Sequence, residues 1–305
     1  MRVLIIGASS FLGRHVLREA GAAGHDVVTA GRSAVPASAS HHRLDLSADG
    51  PSRIAEVITS IAPEAVVNCA GATTGSTDTL AAANITAVHA LVTAMVQARC
   101  AARLVQIGSA AEYGRTEEGV PVAESAAALP ASVYGVTKLA GTRLVELART
   151  AGLDSVVLRV FNVVGAGAPA DGLPGRAAML LRRAAADGTD IRLGPLNAVR
   201  DFIDARDAAD AVLAAATAPV LAHAVINIGS GRGVAARTLI KELIAVSGYE
   251  PVVHEDTAGS PRSAALPWMQ ADITRARRDL GWQPSRDLKA SVSDLWEAAC
   301  GTTDT

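Results

Sequence analysis

The chain has 305 residues, half of them hydrophobic, with 28 Lys and Arg against 30 Asp and Glu and a formal net charge of -2. That length buries a full core as one large domain or two small ones. A near-neutral chain without a block of like charges offers no electrostatic surface for nucleic acid, so small molecules are the expected partners.

The first apolar run, Val3 to Ile6, stops at Gly7, short of a signal-peptide core or a membrane span. The alanine-rich stretch from Ala211 to Ile226 is interrupted by Pro219 and His223. No membrane association is expected, and the reading is a soluble, cytoplasmic protein. Cys69, Cys100 and Cys300 lie far apart, which points to buried reduced thiols rather than a disulfide framework or a zinc site. The only adjacent histidines are His41 and His42, and sequence neighbours rarely share one metal geometry, so no metal is assigned.

Short β-branched runs alternate with longer helical patterns through the first half, the signature of a doubly wound, parallel α/β (Rossmann) sheet with helices on both faces. Strands are expected at Val3–Ile6, Val27–Ala30, Ala65–Asn68, Leu104–Ile107 and Ser155–Val160. Helices are expected near Phe11–Ala22, Pro51–Ile61, Asn84–Ala98 and Ser132–Thr150. Past Phe161 the rhythm breaks at a Gly/Pro-containing loop, Gly165 to Gly175, that leads into a helix. Asp204–Ala216 and Val225–Ile228 read as a further helix and strand of the main sheet. The organisation expected is a dinucleotide-binding domain of residues 1–160 and 201–228, with a smaller, discontinuous α/β substrate lobe of 161–200 and 229–305.

The run Val3-Leu-Ile-Ile-Gly7-Ala-Ser-Ser10-Phe-Leu-Gly13 reads as a buried strand, a tight turn and a helix start. Glycines there let backbone N–H groups approach a pyrophosphate, and the helix N-terminus adds partial positive charge. Ser10 occupies the place of the second glycine, where its side chain either crowds a phosphate or hydrogen-bonds to it. The second strand lacks the terminal Asp or Glu that would clasp a ribose 2′-hydroxyl and continues instead into Gly31-Arg32-Ser33. An arginine with hydroxyls suits a 2′-phosphate. NADP is therefore the expected cofactor, with NAD as the alternative, and a solvated turn arginine is the ordinary reading of Arg32.

Tyr134-Gly-Val-Thr-Lys138 places a phenol and an ammonium on one helix face about a turn apart. A tyrosine acts as a near-neutral acid or base only with roughly 4 kcal/mol of electrostatic help against its ordinary pKa of about 10. A nearby Lys⁺ and an oxidised nicotinamide supply such help. Alone, the pair also fits a half-buried tyrosine beside a surface lysine.

Taken together, Ser109-Ala-Ala-Glu-Tyr113-Gly and Tyr134-Gly-Val-Thr-Lys138 resemble the extended short-chain dehydrogenases, the NAD(P)-dependent epimerase/dehydratases. Further matches run in family order along the chain: Asn68-Cys-Ala-Gly71, Asn84, Arg159-Val-Phe-Asn162-Val-Val-Gly165, Arg200-Asp-Phe-Ile, Asn227-Ile-Gly-Ser-Gly231, Arg262 and Leu280-Gly-Trp-Gln-Pro284. The resemblance implies catalysis by Ser109, Tyr134 and Lys138. It implies cofactor contacts from Gly7, Ser9, Ser10, Phe11, Leu12, Gly13, Arg32, Asp45, Leu46, Ala70, Gly71, Asn84 and Phe161, besides Tyr134 and Lys138. Asn162, Arg200 and Arg262 would hold the diphosphate of a nucleotide-diphosphate sugar, a task for which forked guanidinium groups are suited. It also implies a homodimer packed through the helices containing Asn84–Ala98 and Tyr134–Thr150, although their apolar residues equally suit the core.

Where the family's dehydratases carry an acidic pair, this chain has Ala110 and Ala111, and a methyl group transfers no proton. Ala111 also stands where 3,5-epimerases use a cysteine. Glu112 is the nearby carboxylate, read as structural. The resemblance therefore leaves a 4-keto-sugar reductase and a 4-epimerase, and a redox-inactive dinucleotide binder as a third class. The Gly31-Arg32-Ser33 end favours reduction with NADPH. The Gly194 to Asp207 stretch is similar to the GDP-4-keto-6-deoxymannose reductase branch.

Overall fold

Five short buried apolar runs build the centre of the molecule, seen in a computed structural model that describes residues 1–36, 38, 40–258 and 266–301. The strands are β1 (Arg2–Ile6), β2 (Asp26–Gly31), β3 (His41–Arg43), β4 (Ala65–Asn68), β5 (Arg103–Ser109) and β6 (Ser155–Val160). After them come β7 (Asn162–Val164), β8 (Ile191–Arg192), β9 (Val199–Asp204), β10 (Val225–Ile228), β11 (Gly233–Ala235) and β12 (Val253–His254). Seven form one sheet in the order β10-β6-β5-β4-β1-β2-β3, and every pairing in it is parallel. In β1, Val3 and Ile5 join the core on one face of the sheet while Leu4 and Ile6 join the core on the other. The period-2 alternation of a strand thus feeds two apolar layers, and each needs helices to cover it.

Those helices are α1 (Phe11–Ala22), α2 (Pro51–Ile61), α3 (Thr77–Ala81), α4 (Ala87–Gln97), α5 (Val133–Thr150), α6 (Leu173–Asp187) and α7 (Ala205–Thr217). The chain ends through α8 (Ala236–Ser247), α9 (Thr274–Leu280) and α10 (Leu288–Gly301). On one face α1 and α7 bring Val16, Ala20, Ala208 and Val212 to the sheet. On the other, α2, α4 and α5 bring Ile54, Ile58, Leu91, Met95 and Val145. A third core, around Leu181, Phe202, Leu239 and Val292, joins α6, α8 and α10 to the small sheet β11-β9-β7.

Each expected strand forms, extended by at most two residues at an end. Two elements of secondary structure depart from expectation. Edge strand β3 consists of His41, His42 and Arg43, partly exposed residues without an apolar pattern to announce it. The helix expected from Asn84 starts at Thr77, where the Ser76 hydroxyl accepts from Thr79 N at 3.2 Å, and passes through a π-helical turn, Ala82–Thr86, before α4. The resulting run, Thr77–Gln97, has the length and apolarity of a membrane span, yet half of it is buried inside the molecule. Of the three free thiols, Cys69 and Cys100 are half-buried and Cys300 is exposed rather than buried.

Candidate active site

β1 delivers the chain to Gly7, whose φ of +77° is the left-handed region that favours glycine. A Cβ at Gly7 would lie 2.6 Å from Ala70 N, and one at Gly13 would lie 2.3 Å from the Gly7 carbonyl oxygen. The turn therefore packs directly on the end of β4 and on itself. Ser10 settles its own role: it is the N-cap of the twelve-residue α1, with its Oγ accepting from Gly13 N at 3.1 Å. The serine Oγ thus accepts from the first turn of the helix while the residue lines the cleft. A close-packed glycine turn leading into a capped helix N-terminus fits the diphosphate of a dinucleotide.

Past β2, Arg32 is exposed and interacts electrostatically with Asp45, which follows β3. The carboxyl of Asp45 is held below its usual range chiefly by the Ser47 hydroxyl, which donates at 2.6 Å, with Arg32 a smaller contributor. Leu46 beside it is buried. These residues, with Gly7, Ser9 and Gly13, lie outside a cleft of about 700 Å³ whose walls include Ser10, Phe11, Leu12, Ala70, Gly71, Asn84 and Phe161.

Ser109, Tyr134 and Lys138 line that same cleft. Ser109 ends β5 and caps a single 3₁₀ turn, Ala110–Glu112, its Oγ accepting from Ala111 N at 3.2 Å. Tyr134 lies in the first turn of α5, which Ser132 caps through Gly135 N at 3.1 Å. A Cβ on Gly135 would lie 2.5 Å from the Ala111 carbonyl oxygen, so the start of α5 is pressed against the turn that carries Ser109. One turn on, Lys138 is buried and its Nζ donates to the Ile107 carbonyl at 2.5 Å. Burial pulls the lysine pKa down, while Glu112 and Cys69 act in the opposite sense. Burial pushes the Cys69 thiol up to about 12.

Further lining comes from the small sheet. Asn162 on β7 donates through Nδ2 to the Asp201 carbonyl at 3.1 Å, and its Cα pairs with that of Phe202 on β9. Arg200 on β9 donates to the Val199 and Leu266 carbonyls at 2.7 and 2.6 Å. Burial lowers its pKa. Both side chains line the cleft. Arg262 lies outside the described residues.

The model of the NAD dependent epimerase/dehydratase family matches residues 3–229. The chain belongs to this family. It is similar to a dTDP-6-deoxy-L-talose 4-dehydrogenase (NAD(P)(+)) of Kitasatospora kifunensis, 38% identical over 97% of this chain and 95% of the relative. It is also similar to a UDP-glucose 4-epimerase of Streptomyces lividans, 31% identical over 97% of this chain and 95% of the relative. Among solved structures it resembles RMD from Pseudomonas aeruginosa complexed with NADPH, with a TM-score of 0.83, 25% identity and coverage of 98% of this chain and 97% of that one.

Within this family frame, features around the cleft emerge that residue types alone do not single out. Asp201 is fully buried and accepts from Ser230 N, Ser230 Oγ, Gly231 N and Ala271 N. It anchors the Asn227 to Gly231 stretch, and burial raises its pKa against those hydrogen bonds. Arg14 lines the cleft and ties the glycine turn to the Gly165–Gly175 loop by donating to the Ser9 and Gly167 carbonyls at 2.8 and 3.2 Å. Nothing in the spacing marks Arg14. Glu112, by contrast, carries a readable signal, since Ser-x-x-Glu is the capping-box pattern and that box is formed.

Proposed function

We propose that the protein reduces the 4-keto group of a nucleotide-diphosphate deoxysugar with NADPH. The observation that carries this reading is one cleft, within the size range of small-molecule sites, lined by Ser109, Tyr134 and Lys138 and also by Asn162 and Arg200. In this reading residues 1–160 and 201–228 hold the dinucleotide, and 161–200 with 229–305 hold the sugar nucleotide. Gly7, Ser9, Gly13 and the N-terminus of α1 cradle the cofactor diphosphate, Arg32 pairs with the 2′-phosphate, and Asn162, Arg200 and Arg262 take the substrate diphosphate.

The nicotinamide, when bound, supplies the hydride. Tyr134 donates its phenolic proton to the substrate carbonyl oxygen as charge develops there. Because the Ser109 Oγ already accepts from Ala111 N, its own O–H is left to donate to the same oxygen and orient it. The Lys138 ammonium favours the tyrosinate that remains and holds the nicotinamide ribose. Ala110 and Ala111 add no acid or base, so protons move through Tyr134 alone.

The relative named as a UDP-glucose 4-epimerase favours a second reading, C4 epimerisation through the same three residues. Net consumption of reduced cofactor separates the two. Incubating purified protein with nucleotide-diphospho-4-keto sugars and NADPH or NADH, while following reduced-nicotinamide absorbance, should show stoichiometric oxidation with at least one sugar. Interconversion of C4 epimers without net oxidation would replace the reductase by the epimerase. The exposed Val96, Val136 and Leu147 on α4 and α5 support a homodimer through those helices, which sedimentation of the intact protein tests.

A further inference from the structure

Directly behind the catalytic serine lies a carboxylate with no exposure at all, Glu112. Three elements converge on it. Its Oε1 accepts from Ser109 N at the end of β5 at 2.9 Å. Its Oε2 accepts from Thr142 Oγ1 on α5, one turn beyond Lys138, at 2.9 Å, and from Arg159 Nε on β6 at 2.8 Å. The Arg159 guanidinium in turn stacks 4.5 Å above the Tyr113 ring, and the Tyr113 hydroxyl donates to Asn227 Oδ1 on β10 at 2.7 Å. The chain makes room for this arrangement at Gly108, where a Cβ would lie 2.8 Å from Glu112 Oε1.

A buried ion pair is poor value as a stability device, because desolvation offsets most of the attraction and apolar residues of equal volume serve as well. This one bonds directly to the backbone of Ser109 and to the helix that carries Tyr134 and Lys138. We propose that Glu112 is a positioning residue: its carboxylate sets Ser109 against α5 and provides the anionic field in which Lys138 is held. The proposal rests on the catalytic reading of Ser109, Tyr134 and Lys138.

The other groups around Lys138 do not duplicate that field. Cys69 at the end of β4 is a neutral thiol, with its pKa pushed up to about 12. From β5 the Ile107 carbonyl contributes only a dipole. Tyr134, one turn earlier on the same helix, enters the proposed step as the proton donor. Arg159 and Tyr113 stand behind Glu112, the first cationic and the second a phenol with its pKa raised to about 12 by burial. Glu112 is therefore the anion that opposes the loss of the Lys138 proton.

Glu112→Gln keeps an oxygen for Ser109 N, removes the charge and turns an amide NH2 toward Thr142 and Arg159 in place of the accepting Oε2. It should lower kcat roughly tenfold or more with KM for both substrates within about twofold, the pattern of an interaction used in the transition state. It should also move the alkaline limb of kcat, set by the coupled titration of Tyr134 and Lys138, to lower pH. Thr142→Val removes only the hydrogen bond from α5, so it should lower kcat several-fold and leave the limb in place. A fall in stability and activity for Glu112→Gln with an unmoved limb, or unchanged kcat for Thr142→Val, would overturn the proposal. A ¹⁵N NMR titration of the Lys138 ammonium needs no substrate: a lower midpoint in Glu112→Gln than in wild type supports the proposal, and equal midpoints overturn it. If no nucleotide sugar is turned over, the functional reading fails while this titration still decides the role of Glu112.

Discussion

The Asn84 side-chain amide, set in a π-helical turn, donates to the Thr137 hydroxyl at 3.1 Å, and that hydroxyl donates to the Tyr134 carbonyl at 2.9 Å. The same amide bonds the Ala72 N–H and carbonyl at 3.1 and 2.9 Å. Gly71, beside them, leaves the space, since a Cβ there would lie 3.0 Å from Asn84 Oδ1. A π turn shifts side chains relative to a regular helix, and such turns recur at functional sites. Asn84→Ala strips buried partners from the loop after β4, an effect of about 1–3 kcal/mol. Urea unfolding should show that loss, and kcat should fall with it because the first turn of α5 loses a brace. An unchanged midpoint and kcat would mean that the π turn is held by packing alone.

How much of this was legible depended on the kind of signal each feature leaves. A parallel sheet buried on both faces reads as unbroken β-branched runs, so β1, β4 and β6 stand out in the chain. Ser10 stands where the fingerprint has a glycine, and that substitution masks its cap role, which its hydrogen bond from Gly13 N makes plain. The start of α3 and the π turn left no periodic trace, since a one-residue shift within a helix is invisible to an apolar pattern. Strands β7, β8, β11 and β12, of two or three residues each, are too short for alternation to register. The cleft gathers Ser109, Tyr134 with Lys138, Asn162 and Arg200 from four separated segments, a convergence that spacing alone does not contain.

Arg32 stands at the end of β2 without a neighbouring acid on that strand and with its side chain exposed. Asp45 is its electrostatic neighbour, so a 2′-phosphate would compete with one carboxylate. Arg32→Ala should weaken NADPH by roughly tenfold or more through loss of a charge-assisted contact and leave NADH nearly unchanged. Titration calorimetry with both cofactors reads this directly. Equal loss for the two would remove the argument for NADP.

Arg200 spends terminal nitrogens on the Val199 and Leu266 carbonyls while lining the cleft. A guanidinium divides its five N–H groups between such anchors and a phosphate, whereas an ammonium presents three donors from a single point. Arg200→Lys should raise KM for the nucleotide sugar with little change in kcat or in KM for the dinucleotide. Steady-state kinetics that leave all three constants unchanged would place Arg200 outside the substrate site.

Tyr134→Phe tests the proton donor itself. The ring is half-buried at the start of α5, where the packing of Gly135 on Ala111 fixes the helix whatever stands on the phenol carbon. The variant should therefore fold, which its circular dichroism spectrum checks. In the proposed mechanism the substrate oxygen would then keep the Ser109 hydrogen bond but find no acid in Ala110 or Ala111 to replace the phenol. Turnover should fall roughly 100-fold or more, the scale of general acid catalysis, while dinucleotide affinity measured by fluorescence titration stays near wild type. Ser109→Ala, which removes a hydrogen bond rather than the proton source, should lower kcat less. If Tyr134→Phe retains most of the activity, Lys138 becomes the candidate donor, and a Lys138→Met variant would then show the larger loss.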